Sequence, residues 1–179
     1  MYGKNFPEPV REGSGFLSGV TEMSPADFYA VSKLNAEAKH RALGKLSIVD
    51  LRVFSYVSRF IDFDSNFLVA ELIKAIKDKQ VFMTDDRNIV RDYLHPEDMM
   101  QIVHLIIEKW RETGLINDSF DVYSNAPISK LDMLKVLHEK FNLQYIVKKK
   151  AAVDSSPTGF KMHYYSVNKK LEKIGYKPQ

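Results

Sequence analysis

The sequence predicts an α/β protein, because segments with strand character alternate with segments of helical periodicity. Residues 46–57 are rich in β-branched and aromatic side chains, which favours a strand, and they follow a candidate helix at 25–43. Apolar side chains recur at helical spacing over 66–79, between two strand-like runs. The chain has 179 residues, of which 45% are hydrophobic, enough for one ordinary core or for one domain with part of another.

The other elements follow in order along the chain. Residues 1–23 contain two prolines and four glycines without periodicity, so we expect a loop there. Ser24 can cap the first helix, and Pro25 fits its first turn. The remaining helices are expected from Pro96, from a cap at Ser129 to about Phe141, and from about Val167 to Ile174 before Gly175; the remaining strands are expected at 80–84, 88–94, 120–123 and 143–148.

Tyr29 and Lys33 are one helical turn apart on the first helix, where a lysine ammonium can favour the charged form of a phenol. On a helical wheel they lie nearly opposite the apolar side chains, so they are not needed by the core. The predicted core face consists of Phe28, Val31, Leu34, Ala38 and Ala42. Tyr145 with Lys149, and Tyr165 with Lys169, repeat the spacing, and these pairs are interpreted as ordinary surface residues.

Composition excludes several classes of function. Lys and Arg number 26 against 23 Asp and Glu, and this net charge of +3 does not indicate nucleic-acid binding; the run Lys148–Lys150 is interpreted as a solvated strand end. The absence of cysteine excludes disulfides and thiolate chemistry and favours a cytoplasmic location. No apolar run approaches the roughly 18 residues that span a membrane, and the five histidines show no metal-ligand spacing.

Five short motifs follow one another along the chain. They are Met1-Tyr-Gly3, Tyr29-x-x-Ser-Lys33 with Glu37, Leu51-Arg-Val-Phe54, Arg91-Asp-Tyr-Leu-His-Pro-Glu-Asp98, and Leu171-x-x-x-Gly175-Tyr-x-Pro178. In this order they resemble the C-terminal part of the extended short-chain dehydrogenase/reductases, which include nucleotide-sugar epimerases, dehydratases and reductases. The resemblance covers nearly the whole chain.

The resemblance implies catalytic and binding roles for particular residues. Tyr29 would be the general acid/base that exchanges a proton with a sugar hydroxyl, and Lys33 would hold the nicotinamide ribose of NAD or NADP beside it. Arg91 would contact the diphosphate of a nucleotide-sugar substrate. The alternative for Arg91 is an ion pair with Asp92 or Glu97.

The sequence departs from the family pattern after Arg52. The family usually has Asn and then Tyr-Gly-Pro there, whereas this chain has Ser55 and then Tyr56-Val-Ser-Arg59. Ser55 offers a shorter hydroxyl to the sugar nucleotide. Arg59 is a candidate for an additional contact with the phosphates, or it is a surface residue.

The family resemblance also predicts how the fold is divided. Residues 1–58 would be the C-terminal part of a Rossmann-like, doubly wound sheet, and 59–179 mainly a small α/β substrate-binding region, with 88–124 returning to the Rossmann-like part. The family's glycine-rich cofactor turn has no counterpart here. Gly13-Ser-Gly15-Phe-Leu-Ser-Gly19 has similar spacing, but it follows a Pro-rich loop rather than a strand, so we do not expect it to hold a pyrophosphate.

Two functions are therefore expected. The first is the substrate-side fragment of an NAD(P)-dependent nucleoside-diphosphate-sugar epimerase, dehydratase or reductase, inactive alone because the cofactor cradle is missing. The alternative is a catalytically inactive relative that associates with itself, as a homo-oligomer, or with a missing N-terminal half. Missing strands would leave an exposed sheet edge, and natural proteins cover such edges.

Overall fold

A computed structural model describes residues 7–11, 14, 23, 25–149 and 161–179. The motif at Met1–Gly3, the capping residue Ser24 and most of the glycine-containing segment 13–19 lie outside the described residues. The helices are α1 (Pro25–Ala42), α2 (Leu68–Lys77), α3 (Pro96–Thr113) and α4 (Lys130–Phe141). The strands are β1 (Ile48–Val53), β2 (Phe82–Asp85), β3 (Val90–Arg91), β4 (Asn117–Val122), β5 (Ile128–Ser129), β6 (Tyr145–Lys148) and β7 (His163–Tyr164), and a 3-10 helix follows at Lys170–Ile174.

The strands form small, mainly parallel sheets. β1 and β4 pair in parallel, in a register that runs from Ile48 opposite Asn117 to Val53 opposite Val122. β2 pairs in parallel with β6, while β3 pairs with β7 in parallel and with β5 in antiparallel. The predicted α/β class is confirmed. The division into two regions stays a prediction.

Local signals determine where several elements begin and end. The Ser129 hydroxyl accepts a hydrogen bond from the Asp132 backbone N–H at 3.1 Å, as expected of a helix cap. Gly175 ends the 3-10 helix with a φ of 90°, a conformation that glycine adopts without strain. Two predicted elements were too long, since 88–94 forms only the strand Val90–Arg91 and 167–174 forms only the 3-10 helix.

The apolar core consists of two clusters of buried side chains. The larger lies among β4, α3 and the 3-10 helix, and contains Leu94, Ile102, Phe120, Val122, Tyr123, Leu171 and Tyr176. The smaller joins α2, α4 and the start of β6 through Leu72, Ala75, Leu134 and Leu143. Fully burying such a side chain stabilises the fold by about 1.5–3 kcal/mol.

The predicted core face of α1 was wrong. Phe28 is 62% exposed, and Ala38 and Ala42 are also exposed. The inward positions include Asp27 and Ala30, which are buried, and Arg41, whose guanidinium donates to the Asp50 carboxylate at 2.9 Å. Because α1 packs through polar contacts, the apolar periodicity did not locate its inner face.

Arg52 joins α1 to both strands of the β1–β4 sheet. Its guanidinium donates to Glu37 of α1 at 3.1 Å through Nε, and to Asp121 of β4 at 3.0 Å through Nη1. Burial raises the pKa of the Glu37 carboxyl, but the hydrogen bond and charge of Arg52 act against it, and the pKa lies well below its ordinary value. Asp121 is buried and also accepts a hydrogen bond from the Ser166 hydroxyl at 2.5 Å.

Arg52→Ala is expected to lower the free energy of unfolding by about 3–5 kcal/mol, because it leaves the buried Asp121 carboxylate without its cation. Arg111→Ala is the matched control, since Arg111 pairs with Glu108 on an exposed face of α3. That exposed pair should be worth at most about 1 kcal/mol. Urea denaturation of the two variants measures the difference, and equal losses would contradict the role assigned to Arg52.

A second polar contact fixes the start of α4 to the end of β2. Lys130 is buried, and its ammonium donates to the Asp85 carboxylate at 2.7 Å and to the Asp85 carbonyl at 2.8 Å. Burial raises the pKa of the Asp85 carboxyl, but Arg87 and Lys130 outweigh that effect and hold the pKa well below its ordinary value.

The Asp85 contact should make stability fall in acid. Because the pKa is lower in the folded state, the stabilisation is complete above the ordinary aspartate pKa of about 4 and is lost as the pH falls toward the folded value. The stability difference between wild type and Asp85→Asn should therefore shrink from pH 6 to pH 2, as followed by urea denaturation. Asp64→Asn, on an exposed loop, is the control, and a difference that stays constant with pH for Asp85→Asn would contradict the assignment.

No helix in the described part of the chain is long and apolar enough to cross a membrane. Within the same residues, no group of three or more histidine, aspartate or glutamate side chains is arranged to hold a metal ion.

Candidate active site

Tyr29 and Lys33 lie next to each other on the outer face of α1. The Lys33 ammonium is 5.7 Å from the centroid of the Tyr29 ring, and the Tyr29 side chain is 71% exposed. Residues four apart on a helix share a face, so α1 itself sets this geometry. The pair can present a phenol and a cation to the same ligand.

Helical context distinguishes this pair from the other two of the same spacing. Tyr145 belongs to β6, and Lys149 lies beyond the end of that strand. Tyr165 and Lys169 lie between β7 and the 3-10 helix, and the Lys169 ammonium contacts the ring of Tyr123 instead, 3.5 Å from its centroid. In an extended backbone, residues four apart are separated by about 13 Å, so neither pair gains the close approach that a helical turn gives to Tyr29 and Lys33.

The Lys33 ammonium is not neutralised by the acidic residue one turn further along α1. Glu37 lies at that position, but its carboxylate is bound to Arg52. In the residues that the structure describes, Lys33 forms no ion pair. Its charge therefore remains available to the Tyr29 phenol and to a bound hydroxyl.

Arg91 is half-buried at the end of β3. Its Nη1 donates to the carbonyls of Val90 at 3.0 Å and Lys161 at 2.7 Å. The alternative ion pairs are not formed, because Asp92 accepts from the Ser124 backbone N–H at 3.0 Å and Glu97 lies 3.8 Å from His95. The guanidinium has five N–H donors, so the two carbonyls leave donors for a ligand.

Tyr164 is a neighbour of Arg91 and is also close enough to Tyr29 to be affected by it electrostatically. The Arg91 guanidinium is 5.4 Å from the centroid of its ring, and Phe54 packs edge-on against it at 5.3 Å. Burial raises the pKa of the Tyr164 phenol and the nearby Tyr29 raises it further, while Arg91 lowers it. Tyr29 and Arg91 therefore share Tyr164 as a neighbour, although the sequence motifs did not indicate it.

The structure places Ser55 beside the segment that follows Arg91, and Arg59 in an exposed loop. The Ser55 carbonyl accepts from the Leu94 backbone N–H at 3.0 Å, which holds the end of β1 beside the segment that follows Arg91. Arg59 lies in an exposed loop, where its guanidinium is 4.8 Å from the centroid of the Phe60 ring. Among the described residues, Arg59 forms no ion pair.

Comparison with known families identifies the chain. The model of the NAD dependent epimerase/dehydratase family matches residues 1–118, which include α1, β1 and Arg91. The chain belongs to the NAD-dependent epimerase/dehydratase family. This membership confirms the resemblance to the extended short-chain dehydrogenase/reductases. No curated protein matches the sequence.

Solved structures of similar fold include three nucleotide-sugar enzymes. A UDP-N-acetylglucosamine 4-epimerase from Methanobrevibacter ruminantium M1, in complex with UDP-N-acetylmuramic acid, matches with a TM-score of 0.73 and 20% identity over 99% of this chain and 54% of its own. A dTDP-glucose 4,6-dehydratase from Streptomyces venezuelae with NAD bound matches with a TM-score of 0.70 and 16% identity over 99% of this chain and 52% of its own. A UDP-glucuronic acid 4-epimerase from Bacillus cereus, in complex with UDP-glucuronic acid and NAD, matches with a TM-score of 0.69 and 19% identity over 98% of this chain and 52% of its own.

These structural matches support the Rossmann-like fold of this epimerase/dehydratase family member. The chain spans about half the length of each of them. At identities of 20% or less, the similarity establishes the fold alone. The roles of individual residues rest on the geometry of the site.

Proposed function

We propose that this chain supplies the proton-transfer group and the diphosphate-binding arginine of an NAD- or NADP-dependent enzyme that epimerises, dehydrates or reduces a nucleoside-diphosphate sugar. The observation that carries the proposal is the exposed Tyr29–Lys33 pair on α1, in a member of the NAD-dependent epimerase/dehydratase family. Complexes of fold relatives with NAD and UDP-sugars support the substrate class. Self-association and pairing with an N-terminal half stay predictions.

Tyr29 is the group that moves a proton in this proposal. When bound, the nicotinamide cofactor accepts or donates the hydride. As the sugar hydroxyl becomes a carbonyl, its proton passes to the Tyr29 oxygen, and the reverse step returns it. The Lys33 ammonium stabilises negative charge on that oxygen through its proximity.

Tyr29 and Lys33 also form the part of this chain that would hold the nicotinamide ribose. Both side chains are exposed on the same face of α1, and Lys33 has no carboxylate partner in the described residues. A cation and a hydroxyl in this arrangement fit the two hydroxyls of a ribose.

Arg91 binds the substrate in this proposal. Its half-buried guanidinium retains unused donors, and a diphosphate accepts charge-assisted hydrogen bonds from such a group. Arg91 and Tyr29 both affect Tyr164, so phosphate binding and proton transfer would occupy neighbouring parts of one site.

Nucleoside diphosphates are expected to raise the melting temperature of the chain, because a ligand that binds only the folded state stabilises it by RT ln(1 + [L]/Kd). The test is a thermal-shift series with uridine, thymidine, cytidine and guanosine diphosphates. Arg91→Leu should weaken the affinity for the nucleotide by about 10- to 100-fold, because a charged hydrogen bond is lost. Arg111→Leu is the control on exposed α3, and stabilisation that persists unchanged in Arg91→Leu would contradict this role.

In an enzyme reconstituted by pairing this chain with a cofactor-binding N-terminal half, Tyr29→Phe is expected to lower the turnover of a nucleoside-diphosphate sugar with NAD or NADP by about 10²- to 10⁴-fold, because the general acid/base is lost. Its melting temperature should stay unchanged, since the Tyr29 side chain is 71% exposed. Tyr145→Phe removes a hydroxyl from another Tyr-x-x-x-Lys pair and serves as the control. Retained turnover in Tyr29→Phe would exclude Tyr29 as the proton-transfer group.

A further inference from the structure

The outer side of α3 carries a stripe of apolar side chains. Met100 is 65%, Ile107 40% and Trp110 46% exposed, and Val103 is half-buried. Met100 and Ile107 are seven residues apart, as are Val103 and Trp110, so the four side chains follow one side of the helix. The opposite side of α3 packs against the larger apolar cluster through Ile102. The core of the described structure therefore does not use the stripe.

The stripe has the spacing of two heptads of a coiled coil. Met100 and Ile107 take the first position of each seven-residue repeat, and Val103 and Trp110 take the fourth. α3 has 18 residues and is therefore about 27 Å long, enough to present both repeats at once. Apolar side chains at these two positions pack against another helix, so the expected partner surface is helical.

The polar side chains beside the stripe indicate which helix that is. Glu97, His104 and Arg111 are also seven residues apart and are all exposed, with the acid in the first turn of α3 and the base in the last. A two-fold axis beside His104 would bring Glu97 level with Arg111 of a second copy, and the reverse pair would form by symmetry. A parallel pair would instead set each charge beside its own copy. The charge pattern therefore fits a second copy of α3 in antiparallel orientation.

The contacts that these charges already make do not prevent such pairing. The Arg111 guanidinium bonds to Glu108 at 2.6 Å through Nη1, which leaves further N–H donors. The Glu97 carboxylate lies 3.8 Å from His95. Both contacts are between exposed side chains, where an ion pair contributes little, so the groups are free to bond across an interface.

α3 lies on the opposite face of the β1–β4 sheet from the candidate active site. Val49 and Leu51 of β1 pack against the larger apolar cluster, which includes α3. Arg52, the next residue, points to the other face and binds Glu37 of α1. Association through α3 therefore leaves Tyr29 exposed, and it is independent of the proposed function.

We propose that two copies of this chain associate through α3, antiparallel about a two-fold axis beside His104, so that the apolar stripes pack together and Glu97 pairs with Arg111 of the second copy. One helix offers less surface than a standard interface, so the expected Kd is about 10–100 µM. Well below that concentration the chain is a monomer, in which Arg111 stays on the surface.

Trp110 reports on this association directly, because it is the one tryptophan in the sequence and lies in the stripe. Between about 1 and 300 µM protein, its emission should shift to shorter wavelength while sedimentation shows the mass of a dimer. Ile107→Glu should abolish both changes. Val136→Glu is the matched control, since Val136 is 39% exposed on α4, and it should leave both unchanged. Equal melting temperatures of the two variants in dilute solution would show that Ile107→Glu is folded.

Exchanging the two charges tests the antiparallel arrangement. Glu97→Arg alone, or Arg111→Glu alone, removes two ion pairs per dimer and sets like charges together, so each should raise the Kd by about tenfold. The double variant Glu97→Arg with Arg111→Glu restores opposite charges across the axis, and its Kd should return to within about threefold of the wild-type value. The exchange opposes the helix dipole at both ends, so a gain in helix stability would not explain the recovery.

The other outcomes would overturn the inference. A chain that stays monomeric at about 300 µM, with constant Trp110 emission, does not associate through α3. Association that persists in Ile107→Glu uses another surface. Association that Ile107→Glu abolishes but the double charge exchange fails to recover is not antiparallel. If the emission shifts only when a separate N-terminal half is added, the stripe binds that half and not a second copy.

Discussion

The ion pairs of Arg52 are the constraint on which the described structure most depends. One guanidinium bonds to a carboxylate on α1, to Asp121 on β4, and to the Ser119 hydroxyl at 3.0 Å. Arg52 and Asp121 are 69 positions apart in the sequence, so the contact joins distant parts of the chain. Because Asp121 is also bonded to Ser166, the same network reaches the segment that follows β7.

This network links the fold to the candidate site. By binding Glu37, Arg52 keeps that carboxylate from neutralising Lys33 one turn away on α1. The inner face of α1 is thereby held to the sheet while its outer face presents Tyr29 and Lys33. A helix that packs through charged groups can thus leave a lysine ammonium unpaired on its exposed side.

The sequence was sufficient for features that depend on neighbouring residues. The bounds of α1, the Ser129 cap and the Gly175 terminus follow from local chemistry and were confirmed within one or two residues. The inner face of α1 was predicted wrongly, because its contacts are polar. Apolar periodicity gives no sign of the ion pairs that Glu37 and Arg41 form with Arg52 and Asp50. The contact between Arg91 and Tyr164 could not be predicted, since it depends on the pairing of β3 with β7.

The parallel pairing of β1 with β4 also has a kinetic consequence. Val53 lies opposite Val122, and the Tyr123 that follows is covered by Tyr176, whose hydroxyl donates to the Tyr123 carbonyl at 2.6 Å. Contacts between residues so far apart in sequence form late in folding, because closing a large loop first costs chain entropy. During synthesis, the larger apolar cluster therefore stays incomplete until position 176 has left the ribosome. Nascent chains that stall before that point would expose Tyr123 and its apolar neighbours to chaperones.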